Sequence, residues 1–86
     1  MDTGTRRSLY MEVVTVTQGY FGPAADRFVS RQIRSHLSKE PEKLNRKDLL
    51  PLIDWISLTM ALLIEDEVII NRFVSELRQL ANGKRA

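Results

Sequence analysis

The sequence predicts an all-α fold, a small four-helix bundle whose third helix is central. Three observations carry this. Apolar residues recur at spacings of three and four along most of the chain. Cap and breaker residues divide that periodicity into four segments, at about 8–20, 23–38, 46–64 and 66–81. The third segment is apolar over most of its circumference, as a helix at the centre of a core would be.

In the first segment Leu9, Val13, Val16 and Tyr20 share one helical face, and Ser8 is placed to cap it. The run Val13-Val14-Thr15-Val16-Thr17 is β-branched throughout, which favours a strand. No second strand candidate exists to pair with it, and a lone strand cannot satisfy its backbone, so the expectation is a helix. Gly19-Tyr20-Phe21-Gly22-Pro23 then punctuates the chain: Gly22 suits a cap or turn, and Pro23 the first position of a new helix.

That second helix carries Ala25, Phe28 or Val29, Ile33 and Leu37 on one side, with Arg27, Arg31 and Arg34 opposite. His36 falls near the apolar side, where a partly buried, hydrogen-bonded ring is expected. Lys39-Glu40-Pro41-Glu42-Lys43 reads as a loop. Helix three starts either on a capping box, with Asn45 as N-cap, Asp48 at N3 and Leu44 stapled to Leu49, or on Asp48 as the cap, which places Pro51 at N3. Helix four is capped by Asp66 and closed by Asn82-Gly83, and its apolar side holds Ile69, Ile70, Phe73, Val74, Leu77, Leu80 and Ala81. Residues 1–7 lack periodicity and are expected to be a mobile end. Residues 8–82 make one domain, and 83–86 a tail.

Helix three decides what the chain can do. Leu49, Leu52, Ile53, Ile56, Met60, Leu63 and Ile64 form the expected core stripe, while Pro51, Trp55, Leu58 and Leu62 form a second stripe on another side. Either helix one covers the second stripe, or a partner does. In the second case Trp55 is the natural anchor and a homodimer the natural assembly.

The 86 residues are 43% hydrophobic and 28% charged, an ordinary globular composition. A core of this size leaves only about 3–5 kcal/mol of net stability, which oligomerisation can supplement. The absence of cysteine removes thiolate chemistry and disulfides. No apolar run approaches the ~20 residues of a membrane span, and Arg6-Arg7 does not open a signal peptide. The expectation is a cytoplasmic protein without membrane attachment.

Nothing nominates an enzyme, a cofactor or a small-molecule substrate. His36 has no partner nucleophile, and Glu65-Asp66-Glu67 lacks the glycine and spaced acids of a calcium loop. Gly22-Pro23-Ala24-Ala25 opens a helix with free amides, but such a turn is ordinarily structural. Arg27, Arg31 and Arg34, one turn apart, suit an acidic protein surface. They equally suit the phosphates of a nucleic acid, although a net charge of +2 is mild for that partner.

Tyr20-Phe21-Gly22-Pro23-Ala24-Ala25-Asp26-Arg27-Phe28-Val29 resembles the Tyr-aliphatic-Gly-Pro-x-Ala element that opens a small helical domain of bacterial signalling proteins. That domain, of unknown function, lies near the C-termini of kinases, cyclases and related regulators. The likeness extends more loosely through Leu49, Leu52, Ile56, Phe73 and Leu77, over roughly residues 18–80. Gln32-Ile33-Arg34-Ser35-His36 departs from the pattern. The resemblance implies a non-enzymatic accessory or docking role with no catalytic residues to carry over.

Overall fold

A computed structural model describes residues 8–83. They are all-helical, with no strand among the described residues: α1 (Leu9–Phe21), α2 (Ala25–Leu37), α3 (Arg46–Leu63) and α4 (Glu67–Ala81), with short 3-10 turns at Gly22–Ala24 and Pro41–Lys43. The expected mobile end at 1–7, and residues 84–86 of the expected tail, lie outside the described residues.

The β-branched run folds as helix because its threonines are satisfied there. Thr15 Oγ1 donates to the Met11 carbonyl at 2.9 Å and Thr17 Oγ1 to the Val13 carbonyl at 2.7 Å. Thr17 is fully buried by virtue of that internal bond. Ser8 caps α1 by accepting from the Met11 N–H. At the other end Gly22, with φ 66° and ψ −143°, terminates the helix in a conformation that only glycine adopts without strain. Pro23 therefore opens a 3-10 turn rather than an α-helix, and α2 begins at Ala25, two residues later than expected.

The α2–α3 connection is tied down at several points. Ser38 ends α2 in the left-handed region, and Pro41 and Leu44 are buried. Lys39 Nζ donates to Asp48 Oδ2 at 2.6 Å, joining the loop to the first turn of α3. Of the two expected starts of α3 the capping box forms: Asp48 N–H donates to Asn45 Oδ1 and Asn45 N–H to Asp48 Oδ2, both at 3.1 Å. Burial opposes ionisation of Asp48, but the Lys39 hydrogen bond, the Asn45 amide and the Lys39 charge outweigh it and hold the carboxyl below its usual range. Asp66 caps α4 by accepting from the Val68 and Ile69 amides.

The helices close a ring in which α1 packs on α2 and α4, and α3 packs on α2 and α4. This corrects the expectation of a central third helix. α3 is one wall of the ring, so its outer side has no neighbour to cover it. The shared core is built from Val13 and Val16, Ala25, Val29 and Ile33, Leu49, Leu52, Ile56 and Met60, and Phe73, Leu77 and Leu80. Two smaller corrections follow from helix ends. Leu63 was expected on the core stripe but is 65% exposed, because α3 stops there and its last turn overhangs the ring. Ile69, in the first turn of α4, is partly exposed for the same reason.

Candidate functional site

The corner between α1 and α2 holds the motif that carries the resemblance, and its aromatic residues pack internally. Tyr20 packs on Phe73 with ring centroids 4.9 Å apart, and Phe21 stacks on Phe28 at 4.5 Å and 15°. The Tyr20 hydroxyl donates to the Glu76 carboxylate on α4. Burial, then that hydrogen bond and the Glu76 charge, push the Tyr20 phenol up to about 12. Ala25 is fully buried. The packing of the corner thus accounts for Tyr20, Phe21, Ala25 and Phe28 of the motif.

The outer side of α3 is different. Pro51, Trp55, Leu58 and Leu62 follow one another at spacings of four, three and four residues, which aligns them along one side of the helix. Pro51 is exposed, and Trp55, Leu58 and Leu62 are 44%, 60% and 87% exposed. None of the four belongs to the core. The alternative in which α1 covers this stripe is therefore not met. Polar neighbours do not compete for it, since Ser57 Oγ donates to the Asp54 carbonyl and Thr59 Oγ1 to the Trp55 carbonyl, both within the helix. Covering one leucine fully is worth about 1.5–3 kcal/mol, so a row of this kind is a substantial unused driving force.

His36 joins this site, contrary to the expectation of a partly buried ring. Its imidazole is exposed and lies flat on the Trp55 indole, with centroids 4.1 Å apart and planes within 6°. The helical angle put His36 on the apolar side correctly. What the angle omitted is that this is the last turn of α2, where the side chain reaches over α3 instead of into the core. The stack fixes the indole at the border of the stripe. The sequence contained a signal for this only in the coincidence that α2 ends where α3 presents its tryptophan.

The arginine face is real but divided. Arg27, Arg31 and Arg34 are all exposed on the side of α2 opposite Ala25, Val29 and Ile33. Arg34 is 3.7 Å from Glu40, an exposed pair of little energetic weight that nonetheless offsets one charge of the row. Arg27 and Arg31, with Ala24 and Phe28, line a shallow open depression. Nearby, the Tyr10 hydroxyl donates to Asp26 Oδ1, and burial together with that bond pushes the Tyr10 phenol up to about 12. The stripe and the arginines lie on different helices.

Among the described residues no three acidic, histidine or cysteine side chains are grouped as metal ligands would be, and no helix is long and apolar enough to cross a membrane. No family model, curated protein or solved structure matches the chain.

Proposed function

We propose that this chain is a non-enzymatic protein–protein interaction module, a small four-helix bundle that self-associates through the outer side of α3. One observation carries the reading: Pro51, Trp55, Leu58 and Leu62 are aligned and exposed on a chain whose core is already complete without them. A tryptophan braced by a stacked histidine is a rigid, amphipathic anchor of the kind that dominates binding energy at interfaces. Arg27 and Arg31 offer a second surface for an acidic protein, which makes the module an adaptor. The resemblance of residues 20–29 to a domain of bacterial signalling proteins supports a cytoplasmic signalling or regulatory setting.

Light scattering over micromolar to millimolar concentrations tests the self-association. The expected result is a monomer–dimer equilibrium in the native chain and a folded monomer in Leu58→Glu. A native chain that stays monomeric throughout overturns the reading.

The exposed, adjacent positions of Arg27 and Arg31 favour one second reading, a nucleic-acid-binding regulator that uses this face. Its signature is DNA or RNA binding that weakens steeply with salt and is lost in Arg27→Glu/Arg31→Glu. The protein-interaction reading expects no tight binding at physiological salt.

A further inference from the structure

The charges at the two ends of α3 go further and select both the occupant of the stripe and its direction. We infer that the stripe is covered by α3 of a second copy of this chain, packed antiparallel, with the two-fold axis between Trp55 and Leu58. This rests on the self-association proposed above and adds its geometry.

Two features point to a second copy. The spacing of four, three and four residues is the spacing of a coiled-coil seam, and it reads the same in both directions. An antiparallel pair across a two-fold axis can use that symmetry, since each residue i that touches j is matched by j touching i. With the axis between Trp55 and Leu58, Trp55 of each copy meets Leu58 of the other, and Pro51 meets Leu62. The large indole, held by His36, then lies beside the smaller leucine on both sides of the axis.

The second feature is charge. Exposed Arg46 and Lys47 stand at the N-terminal end of α3, and exposed Glu65, Asp66 and Glu67 follow its C-terminal end. An antiparallel pair brings the Arg46–Lys47 end of one α3 towards the acidic segment Glu65-Asp66-Glu67 that follows α3 in the other copy, at both ends of the seam. A parallel pair lays cations on cations and acids on acids. The helix dipoles add in the same sense, since the positive N-terminus of each α3 meets the acidic segment of the other copy. Each exposed ion pair is weak, but the contrast between attraction and repulsion at two places sets orientation.

Disulfide trapping distinguishes the arrangements, and the chain has no native cysteine to interfere. Pro51→Cys and Leu62→Cys proteins are mixed in equal amounts, oxidised and separated without reductant. In the antiparallel pair position 51 of one copy faces position 62 of the other, whereas two copies of position 51 are about 16 Å apart along the helix. A disulfide needs α-carbons within about 7 Å. The expected product is the mixed 51–62 dimer, at least tenfold over either symmetric one. Predominance of the symmetric 51–51 and 62–62 dimers overturns the antiparallel geometry and leaves self-association standing. No disulfide above that of the urea-denatured mixture, with a monomeric mass for the native chain, overturns both.

A second pair of variants leaves the seam untouched. Lys47→Glu is expected to raise the dimer dissociation constant about three- to tenfold, and Lys47→Glu/Glu67→Lys to restore it. An unchanged constant in Lys47→Glu overturns the charge pairing on which the orientation rests.

Discussion

The α1–α2 corner and the outer side of α3 are both rich in apolar and aromatic residues, yet they have opposite standing in the fold. At the corner Tyr20, Phe21, Phe28 and Phe73 stack on one another, and the one polar atom that needs an acceptor finds it in Glu76. On α3 Trp55 has one aromatic neighbour among the described residues, the exposed His36, and Leu58 and Leu62 extend into solvent. A recognisable motif is therefore not the same thing as a functional surface. The corner is distinctive because the chain must turn there, whereas the α3 stripe stands out in the sequence and lies outside the core.

Substitution should separate the two regions sharply. Phe73→Ala removes the ring on which Tyr20 packs and opens a cavity in the shared core, a change that costs about 3–5 kcal/mol. That is the whole of the stability expected for a chain this small, so the variant is expected to be largely unfolded by circular dichroism at 25 °C. Gly22→Ala meets no neighbouring atom, so its effect is purely conformational. At φ 66° and ψ −143° an alanine is strained by about 1–3 kcal/mol, read as a lowered urea midpoint with an unchanged slope.

Asp48 offers a smaller effect with a defined pH signature. Its carboxyl is held below the usual range in the fold, so it contributes stability that is complete above the unfolded value near 4 and fades as pH falls through the folded one. Asp48→Ala is expected to lose about 1–2 kcal/mol at neutral pH, through the capping box and the Lys39 bond, and almost nothing more on acidification. Urea midpoints at pH 7 and pH 2.5 check this: the gap between native chain and variant should narrow at the lower pH. Leu62→Ala, at the far side of the comparison, should change monomer stability by less than about 0.5 kcal/mol, because the side chain touches so little.

The local rules of helix starts and stops were legible in the sequence. Ser8, Asn45 with Asp48, and Asp66 all cap where their side-chain chemistry placed them, because a cap depends on residues within one turn. The two stripes of α3 were legible for the same reason, as angles on one helix. What covers each stripe was not, because that depends on the order of helices around the ring. The surplus of apolar residues suggested a helix surrounded by the others, whereas α1 in fact packs on α2 and α4. For His36 the helical angle gives the side of α2 but not the depth, because the last turn of α2 reaches over α3 instead of into the core. The arginine row was read correctly as exposed, but its partial neutralisation by Glu40 arises from the path of a loop that periodicity does not describe.

The central claim is that the α3 stripe is a surface for another molecule of the same chain and not a part of the monomer core. The most direct test is the melting temperature measured against protein concentration, for the native chain and for Leu58→Glu. Association linked to folding makes the native melting temperature climb with concentration. The expected result is such a climb in the native chain and a flat line for Leu58→Glu, at the native value in the dilute limit. A concentration-independent native chain, or a Leu58→Glu protein that melts far below the dilute native value, would contradict the account.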